Sequence, residues 1–269
     1  MAGKSAIFFS KSAIKKAIKK GLIKVDNLPT TTATFVKARQ SITILQDIHN
    51  NNPKQFIFPL KVVFEDEYLA IIEKPPGILV SGNSFKTVDN ALTQNLQRSA
   101  LPDACRPRPV HRLDFPTTGL LLVGKTTTSI AALNRLFEEK KIEKKYLAIS
   151  IGEMENHGSI NEPIDGKFAQ SNYHKLTAVK SERFDFLNLL LLQPITGRRH
   201  QLRKHLAAIG HEILGEREYG NPKFLLKGKG LYLHAFSLAF KHPITGSQLQ
   251  IQSEIPERFQ KIIGKNFII

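Results

Sequence analysis

Cysteine is nearly absent from this chain. Of 269 residues only Cys105 is a cysteine, which excludes an intrachain disulfide and a zinc site built on several thiolates. Cys105 lies among Pro102, Pro107 and Pro109 with no evident base beside it, a poor setting for a nucleophile. Long apolar runs are missing as well. None approaches the roughly 20 residues that cross a bilayer, so the chain reads as soluble, without a membrane partner. The nine histidines lack metalloprotease spacing, because His211-Glu212 is followed by Gly215 where a second histidine would stand, and no metal is expected. Acidic residues are scarce at the start: residues 1–55 hold ten Lys or Arg against Asp26 and Asp47. No internal repeat or low-complexity tract is visible.

Positive charge is what the chain has in excess. Thirty-nine Lys and Arg face 23 Asp and Glu, for a net charge of +16 and a pI near 9.9. Such an imbalance favours a polyanionic partner, since phosphate neutralisation and counterion release supply most non-specific nucleic-acid affinity. An acidic membrane surface fits less well, because no strongly amphipathic helix with large apolar anchors accompanies the charge.

The basic start has its own pattern. Ser10 is a candidate N-cap, and Ala13/Ile14, Ala17/Ile18 and Gly21/Leu22 recur at helical spacing with Lys15, Lys16, Lys19 and Lys20 on the other face. Gly21 ends the helix. Two β-like runs follow, Leu22 to Val25 and Ser41 to Leu45. An acid-poor amphipathic start also suits a transit peptide, but those are rich in arginine, and the first 36 residues here hold none. The order of Ser-Lys, basic helix, glycine and short strands resembles the S4 RNA-binding domain. That resemblance implies that Lys11, Lys15, Lys16, Lys19 and Lys20 meet an RNA backbone.

An asparagine cluster and flanking prolines mark a linker. The expected organisation is therefore a domain over 1–50, a linker over 51–59 and a larger domain over 60–269. In the larger domain strands are expected at Lys61–Glu65, Tyr68–Glu73, Leu120–Val123, Lys145–Ile151, Tyr173–Glu182, Phe186–Leu192, Leu231–Phe240 and Gln248–Gln252. Helices are expected at Val88–Leu96, at Ser129–Lys140 with Thr127 or Thr128 as cap, and after Thr196-Gly197. Strict βαβ alternation is absent, so the fold class is α+β: a mixed, mainly antiparallel sheet with packed helices.

The chemistry gathers around His111-Arg112-Leu113-Asp114-Phe115-Pro116-Thr117-Thr118-Gly119. Asp114 sits on a loop entering a buried strand, where a rigid scaffold can hold a functional side chain. An aspartate before a turn usually does no more than cap backbone N–H groups, but three further motifs accompany this one. They are Lys74-Pro75-Pro76-Gly77, Lys144-Lys145-Tyr146 and Gly197-Arg198-Arg199-His200-Gln201-Leu202-Arg203-Lys204-His205, followed by Gly215-Glu216-Arg217-Glu218-Tyr219-Gly220. In this order, over about residues 60–255, they resemble the RluA family of RNA pseudouridine synthases.

The resemblance implies an enzyme that flips a uridine out of structured RNA, ribosomal or transfer RNA, and isomerises it to pseudouridine without cofactor or metal. Asp114 would be the catalytic carboxylate, Tyr146 would stack on the base, and Arg203 would pair with Asp114 and aim it. Arg112 would fill the space left by the base, with Arg199 and His200 on the RNA. Arg199 and Arg203 are expected to share one helix face, as are His200 and Lys204. Pro75, Pro76 and Gly77 read as architecture, as does Glu216, which stands where relatives carry aspartate. A cytoplasmic monomer is expected. A catalytically silent RNA-binding or ribosome-assembly protein would share the charge and the N-terminal pattern; a hydrolase using Asp114 would need a second carboxylate near it.

Overall fold

The computed structural model describes residues 11–45, 56–226, 228 and 230–264. The chain divides into two compact units, Met1–Lys54 and Gln55–Ile269. Ser10, the expected N-cap, and residues 51–55 of the expected linker lie outside the described residues. The rest of that linker is tied down: Asn95 accepts from the Leu60 N–H at 2.9 Å and donates to the Phe58 carbonyl at 2.8 Å, while Phe56 and Phe58 pack on the core. Their aromatic rings outweigh the turn signal of the asparagines beside them.

In the first unit α1 (Lys11–Lys19) buries Ala17, half-buries Ile14 and Ile18, and exposes Lys15, Lys16, Lys19 and, just beyond it, Lys20. Gly21 closes it at φ +71°, with Gly21 N–H on the Ile18 carbonyl and Leu22 N–H on that of Ala17, the paired bonds of a left-handed helix end. Strand β1 (Ile23–Val25) pairs antiparallel with β2 (Leu28–Pro29) and β3 (Ile42–Ile44). The β2 hairpin escaped the sequence reading. Its signal was Asp26-Asn27, whose φ values of +49° and +65° suit a tight two-residue turn.

The second unit is built on a ten-stranded sheet. In chain order its elements are β4 (Lys61–Glu65), β5 (Leu69–Lys74), α2 (Val88–Asn95), β6 (Ala104–Pro109), β7 (Thr118–Thr126), α3 (Thr127–Glu138), β8 (Glu143–Ile151), β9 (His157–Ile160), β10 (Ser171–Ser181), β11 (Asp185–Pro194), α4 (Gln201–Ala208), β12 (Leu233–Lys241), β13 (Gln248–Gln252) and α5 (Glu257–Ile263). The spatial order is β4-β5-β7-β12-β8-β11-β10-β9, with β13 also on β12 and β6 on β7. Every pairing is antiparallel except β7 with β12, which confirms a mixed, mainly antiparallel sheet. Leu120, Leu121, Leu122 and Val123 are completely buried, each worth about 1.5–3 kcal/mol of removal from water. The cap of α3 is Thr126, in a reciprocal box with Ser129, rather than Thr127 or Thr128. Strand β6 went unread because Pro107 and Pro109 argue against a central strand; it is tolerated on the margin of β7. Among the described residues no helix is long and apolar enough to cross a membrane.

The single parallel pairing needs a glycine. At Gly119, φ +107°, a Cβ would lie 2.3 Å from the Ala235 carbonyl oxygen, a clash no side chain relieves. Beside it the Thr118 hydroxyl meets His234 Nδ1 at 2.7 Å, and His234 Nε2 meets Ser253 Oγ at 2.6 Å. Gly119→Ala is therefore expected to destabilise the unit by about 3 kcal/mol or more, from backbone strain and overpacking together. Thermal denaturation checks this, and an unchanged Tm would show that the two strands part freely.

Candidate active site

Asp114 is held through backbone carbonyls, its own and its neighbours', rather than by its side chain. The Thr117 N–H bonds the Asp114 carbonyl at 3.1 Å and closes a turn, and the Gly77 N–H bonds the Phe115 carbonyl at 2.9 Å. Lys74 is almost fully buried, and its ammonium donates to the carbonyls of Pro75, Phe115 and Thr117 at 2.9, 3.2 and 2.8 Å. Lys-Pro-Pro-Gly thus clamps the aspartate loop, which extends the architectural reading of Pro75, Pro76 and Gly77 to Lys74. Burial pushes the Lys74 ammonium down to about 8, and the Asp114 charge opposes that shift. His111 anchors the loop's other end by accepting the Leu122 N–H at 2.9 Å. Burial holds it at about 3, with Lys144 adding to the effect, so the His111-Arg112 pair carries one charge, not two.

Tyr146 lies on β8, opposite Ala235 of β12 and Leu192 of β11. Burial and then the Asp114 charge raise its phenol far above the ordinary value, so it stays protonated. The cavity these residues share has a volume of about 430 Å³. Asp114, Tyr146 and Leu233 meet there with Arg112, Arg198, Arg199, Lys144 and His200. Four fixed cations around one carboxylate can receive a phosphate backbone while the carboxylate faces what the backbone carries. Lys144 and Arg198 were not singled out from the sequence. Their signal was adjacency to Tyr146 and Arg199 in motifs already in view.

The expected pair between Arg203 and Asp114 does not form. Arg203 is buried and bidentate on Glu216, Nε to Oε2 and Nη2 to Oε1, both at 2.7 Å, with Glu218 at 3.1 Å. Its guanidinium lies over the Tyr219 ring, 5.1 Å from the centroid. The longer Glu216 side chain reaches the guanidinium and also accepts the N–H groups of Arg217 and Glu218. Two short charge-assisted bonds outcompete a more distant carboxylate. The shared faces also fail, because α4 begins at Gln201 and residues 199 and 200 precede it. Arg199 is exposed where Arg203 is buried, and Lys204 pairs with Asp165 at 3.1 Å.

Among the described residues the side chain placed against the Asp114 carboxylate is His200, with Nε2 3.7 Å from Oδ1. His200 was expected on RNA; the structure brings it to the carboxylate. Lys11, whose side chain is not described, and Lys15, Lys16, Lys19 and Lys20 belong to the first unit and are outside this cavity.

Lys74 has a testable pH signature. Its folded value, about 8, lies below the 10.5 of the unfolded chain, so the unfolded state binds more protons between them and stability from this group rises across that window. The stability advantage of the wild type over Lys74→Met should grow as pH rises from about 8 towards 10.5. Denaturation across that range checks it, and a flat difference would refute the lowered Lys74 value.

The profile for RNA pseudouridylate synthases matches residues 68–208, from the β5 entry through α4. An RNA pseudouridine synthase of Aquifex aeolicus is 33% identical over 94% of this chain and 88% of its own. The ribosomal large subunit pseudouridine synthase D of Nitrosomonas europaea is 32% identical over 93% of this chain and 78% of its own. The dual-specificity RNA pseudouridine synthase RluA of Haemophilus influenzae is 32% identical over 72% and 93%. In fold, human RNA pseudouridylate synthase domain containing 1 superposes with a TM-score of 0.59 at 24% identity, over 72% of this chain and 83% of that one. With three of its motifs in one cavity and relatives over nearly its whole length, the chain belongs to the RluA family of RNA pseudouridine synthases.

Proposed function

We propose that this enzyme isomerises specific uridines of large-subunit ribosomal RNA, with transfer RNA the next candidate, and does so in the cytoplasm where those RNAs are matured. The observation that carries the reading is the cavity itself, one carboxylate beside a half-buried tyrosine among three arginines and a lysine. The name of the Nitrosomonas europaea relative supports the ribosomal substrate. A uridine inside a paired or stacked RNA has its glycosidic bond out of reach, so it must be flipped into the cavity, a step costing a few kcal/mol.

In this reading Tyr146 offers the flipped base an aromatic face, and Arg112 enters the gap it leaves. Asp114 serves as the nucleophile while the N1–C1′ bond breaks; the base then turns and rejoins through C5. Arg203 acts at a distance, fixing the Glu216–Tyr219 segment against which His200 rests. The first unit serves as an S4-like RNA grip through the exposed face of α1.

Pseudouridine mapping of total RNA from cells lacking the gene tests the activity. Sites lost in the deletion should return with wild type and stay absent with Asp114→Ala. If no site changes, or Asp114→Ala restores them all, the protein binds RNA without modifying it. For the N-terminal grip, Lys15→Ala, Lys16→Ala and Lys19→Ala together should weaken RNA binding and flatten its salt dependence, by about 0.7–0.9 in the log–log slope for each phosphate that α1 no longer neutralises. Filter binding at several salt concentrations checks this; an unaltered slope would remove α1 from the interface.

A further inference from the structure

His200 occupies a backbone conformation that few residues other than glycine adopt, φ +56° and ψ +26°. It caps no helix N–H with its side chain. The turn is instead held by Gln201, whose Oε1 accepts from Thr196 Oγ1 at 2.7 Å and the Arg198 N–H at 2.9 Å. Its Nε2 donates to the Gln170 carbonyl at 2.8 Å and Ser171 Oγ at 2.9 Å. Strain imposed this firmly on one residue has the imidazole as its beneficiary. The His200 side chain is 9% exposed, lines the cavity, and brings Nε2 to 3.7 Å from Asp114 Oδ1.

The other ring nitrogen favours one tautomer. Nδ1 lies 2.7 Å from the Tyr219 hydroxyl and 3.4 Å from Glu218 Oε2. A carboxylate has no proton to give, and both oxygens can accept Nδ1–H, so the ring proton belongs on this side. Nε2 is left with its lone pair facing Asp114. At 3.7 Å the two make no hydrogen bond, so Nε2 is open to a proton whose charge Asp114 would offset. The groups facing the imidazole are Asp114, Arg199, Arg203, Glu218 and Tyr219, with Lys204 over the Tyr219 ring. Burial dominates among their effects and keeps His200 below the ordinary imidazole value, a free base at neutral pH.

We propose that His200 Nε2 is the base that takes the C5 proton as uridine becomes pseudouridine, with Asp114 stabilising the imidazolium that forms. The inference rests on the isomerase reading above. When C5 bonds to C1′ it carries its hydrogen as well; loss of that proton leaves the electron pair to restore the C5=C6 bond. N1, which departed with its electron pair, gains one proton from solvent, so the reaction is balanced. The imidazolium returns its Nε2 proton to solvent through the cavity once the product has left, which restores the starting tautomer.

The test compares transcripts of the source cell's large-subunit ribosomal RNA carrying 5-protiated or 5-deuterated uridine. His200→Asn keeps a residue that tolerates the left-handed backbone, and His200→Gly opens room for free imidazole. Both should lower kcat on the order of 10²-fold with KM little changed. A primary isotope effect should appear in His200→Asn, and added imidazole should restore part of the rate of His200→Gly. The acid limb of the wild-type profile, set by His200, should vanish in His200→Asn. Undiminished kcat, or a slow variant with neither isotope effect nor rescue, would overturn the proposal and leave His200 a structural residue. A wild-type enzyme that converts no uridine would sink the isomerase reading itself, a separate result.

Discussion

The parallel contact between β7 and β12 is the joint on which this molecule depends. Ala235 is in register with Gly119 on one side and with Tyr146 on the other. The strand that follows Asp114 and the strand that carries Tyr146 are therefore two sheet spacings apart, about 10 Å. That span leaves the carboxylate and the aromatic ring lining one cavity. Backbone oxygen against backbone leaves no freedom at Gly119, and the Thr118–His234–Ser253 chain fastens the same place by side chains.

Charge is distributed so that each buried cation has its own partner before Asp114 is considered. Arg203 holds Glu216, Lys125 holds Glu65 at 2.7 Å, and Lys74 rests on three carbonyls. A buried ion that loses its partner costs about 3–5 kcal/mol, so such pairs form where the geometry is best and are not shared out. Asp114 is left facing a cavity, an imidazole and a rim of exposed cations. With Arg203 committed to Glu216, the Asp114 oxygens carry no guanidinium.

The local elements were legible because their determinants are local. The Leu120–Val123 run, the glycine end of α1 and the leucine-rich run of β11 all depend on neighbouring residues. Strand β6 and the β2 hairpin were missed where prolines or a two-residue turn masked a weak pattern. The linker assignment failed at Phe56–Pro59 because a polar flank says nothing about where its aromatic neighbours find a groove.

The motif order by itself determined the family, the α+β class, the candidate carboxylate and its aromatic companion, since these are matters of residue type and spacing. Which side chain pairs with which was decided by the tertiary structure alone. Glu216 is thirteen residues from Arg203 and Asp114 eighty-nine, and sequence contains no distance by which to choose between them; packing places Glu216 at 2.7 Å. The same packing turned His200 to Asp114, because a left-handed turn pinned by Gln201 points a side chain where helical periodicity would never put it.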